Sequence, residues 1–91
     1  MSVQVHLPAV LSRLTDGRRT LDLDGNTVGE IVNEASTRYP GLAPRLKDEQ
    51  GEPYAFVTYY LNDDDIRIRD GFRTSVQDGD ELTIVPAIAG G

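Results

Sequence analysis

Val28, Ile31, Val32, Ala35 and Tyr39 recur at the three- and four-residue spacing that lines one face of an α-helix, with Glu30, Asn33, Glu34 and Thr37 on the other side. Thr27-Val28-Gly29-Glu30 reads as a capping box at its start, the Thr27 hydroxyl on the Glu30 amide and the Glu30 side chain reaching back. Pro40-Gly41 stops it. A helix with a single apolar face must bury that face against something. The strongest other patterns in the chain have a period of two, so the expected partner is a β-sheet.

Val3, Val5 and Leu7 alternate with Gln4 and His6, which predicts a strand to about Leu7, ended by Pro8. His6 falls on its polar face. A loop from Ser12 to Gly17 leads to Arg19-Thr20-Leu21-Asp22-Leu23, a second strand that pairs with the first as a hairpin. Asp22, Asp24 and Asn26 resemble the first ligands of a calcium loop, but Thr27 stands where glycine is needed and Asn33 where glutamate is needed. Asp24-Gly25-Asn26 is therefore read as a turn. Beyond the helix, Leu42 to Leu46 is expected to form one helical turn, and Lys47 to Pro53 a polar loop.

Tyr54-Ala55-Phe56-Val57-Thr58-Tyr59-Tyr60-Leu61 is aromatic and β-branched, as suits a central strand. Asn62-Asp63-Asp64-Asp65 reads as a solvated turn rather than a metal site, because successive side chains diverge. Ile66-Arg67-Ile68 is expected as a short edge strand, broken by Asp70-Gly71. Asp78-Gly79-Asp80 is a turn signal before the closing strand Leu82 to Val85. The order predicts one α+β domain over residues 1–91 with a β-grasp arrangement: a mixed sheet of four to five strands packed against one main helix, its first and last strands adjacent and parallel at the centre.

A core of this size folds but does not enclose a large substrate pocket. The absence of cysteine excludes disulfides, thiolate zinc sites and a cysteine nucleophile, and a single histidine argues against a histidine metal site or triad. No nucleophile, base and orienting group converge, so an enzyme is not expected. Fifteen acidic against nine basic residues give a net charge of −6, the wrong sign for nucleic acid and suited to a basic protein partner. The amino terminus has no basic region followed by an apolar run, and no apolar segment is long enough to cross a membrane, so a cytoplasmic location is expected.

The folded pattern ends abruptly in Val85-Pro86-Ala87-Ile88-Ala89-Gly90-Gly91. Residues 86–91 read as a flexible leash that, extended, reaches roughly 20 Å. Its last two residues have no side chain, so another backbone or a reacting group can come close, as entry into a narrow catalytic channel requires.

Tyr60-Leu61-Asn62-Asp63-Asp64, the run Val76-Gln77-Asp78-Gly79-Asp80-Glu81-Leu82-Thr83-Ile84-Val85-Pro86, and the Ala87-Ile88-Ala89-Gly90-Gly91 end together resemble the MoaD/ThiS family of ubiquitin-like sulfur carriers. They match the family's strand-Asn turn, its Asp-Gly-Asp turn before the last strand and its Pro-x-x-x-Gly-Gly terminus. The segment between helix and third strand and the Val-Pro-Ala-Ile-Ala-Gly-Gly ending are most similar to the CysO type of cysteine biosynthesis. The small subunit of molybdopterin synthase is the alternative within the family, and a protein modifier the alternative outside sulfur transfer.

The resemblance implies that a ubiquitin-activating-like adenylyltransferase uses ATP to join the Gly91 carboxylate to AMP. Sulfide or a persulfide enzyme then displaces AMP to leave a thiocarboxylate. In the CysO type the sulfur attacks an aminoacrylate on a pyridoxal-phosphate-dependent cysteine synthase; the alternative acceptor is the molybdopterin synthase large subunit. The carrier binds no cofactor, metal, nucleic acid or membrane. Gly91 is the reactive residue, Gly90 gives clearance, and Ala87, Ile88 and Ala89 are the threaded grip. A docking surface on the sheet face near the last strand is expected to include Phe72, Ile84 and Pro86.

Overall fold

In a computed structural model that describes residues 1–54 and 57–86, the capping box and apolar stripe do what their spacing predicts. Thr27 is extended and its Oγ1 accepts from the Glu30 N–H at 3.2 Å. Glu30 Oε1 accepts from the Asn26 N–H at 3.0 Å, one residue further back than the expected partner. The helix α2 (Val28–Arg38) follows. It buries Val28, Ile31, Val32 and Ala35 completely, and Tyr39 packs half-buried at its end. Gly29 sits where the backbone of Phe72 crosses the helix, and a Cβ there would meet the Phe72 carbonyl at 3.0 Å.

The helix lies on a five-stranded sheet in the order β2-β1-β5-β3-β4, built from β1 (Ser2–His6), β2 (Thr20–Asp24), β3 (Val57–Leu61), β4 (Asp64–Asp65) and β5 (Glu81–Pro86). β1 pairs antiparallel with β2 and parallel with β5, and β3 pairs antiparallel with both β5 and β4. This is the β-grasp arrangement, with the first and last strands side by side at the centre. Period-two alternation decides the faces: Val3, Val5, Leu21, Leu23, Tyr59, Leu61, Leu82 and Ile84 point into one core with α2. At about 1.5 to 3 kcal/mol for each fully buried large aliphatic side chain, this face supplies most of the driving force.

Ile66-Arg67-Ile68 is a 3₁₀ turn and not the expected edge strand. Asp65 Oδ1 accepts from the Arg67 N–H at 2.9 Å, which starts the turn, and Arg67 folds back to pair with the Asp65 carboxylate at 2.6 Å. Those hydrogen bonds hold the Asp65 carboxyl below its ordinary pKa. The burial pattern is decisive, since Ile66 is enclosed and Ile68 is 77% exposed. In a strand the two would share a face. The edge strand is Asp64–Asp65 instead.

The β1–β2 connection is more ordered than a loop. A short helix α1 (Ala9–Ser12) and a 3₁₀ turn Arg13–Thr15 bury Leu11 and Thr15. The Thr15 hydroxyl lies 3.1 Å from the Ser12 carbonyl and 2.7 Å from that of Arg18, donating to one at a time. Beyond α2, a 3₁₀ turn Pro40–Leu42 and a short helix α3 (Ala43–Leu46) realise the expected helical turn and bury Leu42 and Leu46. Tyr59 reaches from β3 to α3, its hydroxyl donating to the Leu46 carbonyl at 2.7 Å, with the Phe72 ring edge-on at 5.4 Å.

Candidate functional site

Everything that the sequence assigns to chemistry follows Pro86, so the site begins with how β5 is held. β5 lies between β1 and β3, paired with β1 from Glu81 to Thr83 and with β3 from Leu82 to Pro86. Pro86 is its last residue, half-buried and opposite Val57. Ala87, Ile88, Ala89, Gly90 and Gly91 lie outside the described residues.

The far end of β5 is clamped by the two turns the sequence marks most clearly. Gly79 takes the left-handed φ of +88° that the Asp-Gly-Asp turn requires. The Asp78 carboxylate accepts from the Ser2 N–H at 2.6 Å, and the Gly79 N–H donates to the Ser2 carbonyl at 3.0 Å. Asp80 Oδ2 accepts from the Gln77 N–H at 2.8 Å. Asn62 is itself left-handed, at φ +57°. Its Oδ1 accepts from the Glu81 N–H at 3.1 Å, its Nδ2 donates to Asp80 Oδ1 at 3.3 Å, and its own N–H donates to the Glu81 carbonyl at 2.7 Å. The two motifs thus form one clasp that ties the end of β3 and the start of β1 to the start of β5.

The open face of the sheet carries Gln4, His6, Thr58, Tyr60, Glu81, Thr83 and Val85. Thr83 lies between His6 and Tyr60 in register, and Val85 opposite Thr58. Val85 and Tyr60 are large apolar groups left 42% and 36% exposed. His6 Nε2 and Glu81 Oε1 lie 2.7 Å apart. Where the strands end, His6, Leu7, Pro8, Arg19, Val85 and Pro86 line a shallow groove of about 300 Å³ beside the point from which the chain continues.

Two expected contact residues are not on this face. Ile84 is 3% exposed and points with Leu82 into the core. Phe72 packs against Tyr59 and α2 on the helix side. Of the three, Pro86 lies beside the open face. Thr83, Val85 and Tyr60 occupy the positions assigned to Ile84 and Phe72, and the signal was present: Val85 is an apolar residue in the polar phase of the closing strand.

The profile of the ThiS family matches residues 5–91, which takes in the Asn62 and Asp78–Asp80 turns, β5 and both terminal glycines. The chain belongs to the ThiS family. The sulfur carrier protein CysO of Mycobacterium tuberculosis is 38% identical over 93 residues spanning the whole of both proteins. A chain in the crystal structure of the Amycolatopsis orientalis BexX/CysO complex matches with a TM-score of 0.91 at 39% identity, covering 98% of this chain and 99% of that one. Small archaeal modifier protein 1 from Methanosarcina acetivorans matches with a TM-score of 0.85 at 29% identity, covering 99% and 96%. In this ThiS-family chain no helix among the described residues is long and apolar enough to cross a membrane.

Proposed function

We propose that this protein is a cytoplasmic sulfur carrier whose terminal Gly91 carboxylate is converted to a thiocarboxylate, and that the sulfur goes to cysteine biosynthesis. The observation that carries the reading is the full-length match to CysO together with a family match that runs through Gly91. A carboxylate is a poor electrophile. An adenylating enzyme therefore joins it to the α-phosphate of ATP with loss of pyrophosphate, and sulfide or an enzyme persulfide attacks the acyl carbon and expels AMP. With a persulfide, the sulfur-to-sulfur bond is cleaved by a thiol of the donor enzyme, which becomes a disulfide. The acceptor is a pyridoxal-phosphate-dependent cysteine synthase, which holds the activated substrate while the carrier supplies the sulfur nucleophile.

The chain's own residues position and do not catalyse. β5, clasped at its start, held by β1 over its first half and by β3 as far as Pro86, presents the residues that follow from a fixed origin. Gly90 and Gly91 bring no side chain to the channel, and Ala87, Ile88 and Ala89 supply the grip. The carrier binds no cofactor; ATP is consumed by its activating enzyme. Incubation with that enzyme, ATP and sulfide is expected to exchange one carboxylate oxygen for sulfur at Gly91, seen by mass spectrometry. A chain extended by one residue and Gly90→Val are expected to stay unmodified, because alignment of the reacting atoms is lost. Equal conversion of the extended chain overturns the assignment of Gly91.

The likeness to small archaeal modifier protein 1 favours a second reading, in which Gly91 is joined to lysines of target proteins. A ladder of conjugates in lysate blotted for this chain would select it. Sulfur delivery to a molybdopterin synthase large subunit, with no cysteine adduct on Gly91, would select the pterin alternative.

A further inference from the structure

The turns that enter β1 and β5 are acidic, and the connection that leaves β1 is basic. β1 and β5 run parallel, so the turns that enter them share one end, where Asp22, Asp78, Asp80 and Glu81 surround Ser2 and Gln4. At the end where both strands finish, three arginines, Arg13, Arg18 and Arg19, stand against one carboxylate, Asp16, between Leu7 and Thr20. Arg45 of α3 joins them. With Arg13 it flanks an open cleft of about 420 Å³ whose floor is Val10, Leu11 and Leu14.

Among the described residues neither Arg13 nor Arg45 has an ion-pair partner, whereas Arg38, Arg67 and Arg69 each hold a carboxylate. A chain of net charge −6 has carboxylates to spare and places none in the lining of this cleft. Covering the floor with arginine stems is the simplest role for the pair, but Val10, in the same cleft, is left 58% exposed. Two unpaired guanidiniums around an aliphatic floor fit a carboxylate beside a leucine-like side chain.

We propose that the Arg13–Arg45 cleft receives an acidic, aliphatic segment of the adenylating enzyme, beside the mouth through which the tail enters. The inference rests on the sulfur-carrier reading. Pro8, at the start of α1, lines the same groove as Pro86, and Arg13 lies five residues on, about 8 Å along a helical rise. A partner that takes hold of the residues after Pro86 therefore comes within reach of the cleft. The same acidic segment is repelled by the carboxylates at the other end of the sheet, so the carrier is oriented tail-first as it approaches.

The test is pyrophosphate exchange catalysed by the adenylating enzyme, with the carrier as varied substrate, after circular dichroism has shown each variant folded. Arg13→Glu/Arg45→Glu is expected to raise KM about tenfold or more at low salt with kcat at saturation unchanged, the effect shrinking as salt rises. Arg13→Lys/Arg45→Lys is expected to keep part of the affinity, and Arg73→Glu, at the far end of α2, to stay within about twofold of the native chain. A double reversal within twofold, or an equal loss from Arg73→Glu, overturns the proposal. If the native chain is not adenylated at all, the sulfur-carrier reading fails and a second measurement decides the cleft. The isotope-labelled full chain is titrated with the peptide acetyl-Leu-Glu-Glu-Leu-amide. Amide shifts confined to Val10, Leu14 and Arg45, and absent with the Gln-Gln peptide, support the cleft's chemistry; no shift there overturns it.

Discussion

Asn62 shows how much one residue can hold. Its backbone is left-handed and its amide joins two strands, so replacement removes two separable contributions. Asn62→Ala is expected to lose about 2 kcal/mol, from two exposed hydrogen bonds and a left-handed alanine, while Asn62→Gly loses about half as much because glycine accepts the backbone. Urea unfolding measures both, and equal losses would show that the conformation contributes nothing. Tyr59 is the complementary case inside the core. Burial pushes its phenol well above the ordinary pKa of 10. The folded state keeps a proton that the unfolded chain gives up, so this contribution is complete below pH 10 and is lost as pH rises above it. Tyr59→Phe removes the bond to Leu46 and is expected to cost about 1 kcal/mol at neutral pH. The gap between native and variant should narrow from about pH 9 to about pH 11 in urea unfolding, and parallel profiles would refute the buried-phenol account.

At the scale of elements, what the sequence revealed depended on whether a pattern had one physical cause. The Thr27–Glu30 box and the stripe from Val28 to Tyr39 were legible because a cap and an amphipathic face agree on the same start and the same side. The alternation in β1, β2 and β5 was legible for the same reason. Ile66-Arg67-Ile68 was not, because three alternating residues fit a strand and a capped turn equally well, and the deciding bond, Asp65 to the Arg67 N–H, is local chemistry that alternation ignores. The open face was half legible. Glu81, Thr83 and Val85 share one phase of β5, but in Tyr54 to Leu61 the phase of outward Tyr60 is marked by one polar residue, Thr58, among aromatic neighbours, too little to set it apart from the phase of inward Tyr59. Arg13 and Arg45, 32 residues apart, come to line one cleft only through the tertiary fold, which no local pattern encodes.

For the whole molecule, the question is how a slender tail secures a partner long enough to react. Association must offset roughly 4 to 15 kcal/mol of lost rigid-body freedom, and five small residues bury little apolar surface. The folded body must add contact, and the open sheet face beside Pro86 is placed to do so, with Val85 and Tyr60 exposed at neighbouring positions. Burying one such side chain against a partner contributes about 1.5 to 3 kcal/mol, roughly a tenfold or larger change in affinity. Removing it from an exposed position leaves the free carrier's stability within about 0.5 kcal/mol. Val85→Ser and Tyr60→Ser are therefore expected each to raise KM for adenylation by roughly tenfold, with kcat at saturating carrier and the urea midpoint almost unchanged. Ile84→Ser is the contrasting variant: it faces the core and should lower the urea midpoint sharply, whatever it does to KM. An unchanged KM for both Val85→Ser and Tyr60→Ser would mean that the carrier docks through another surface.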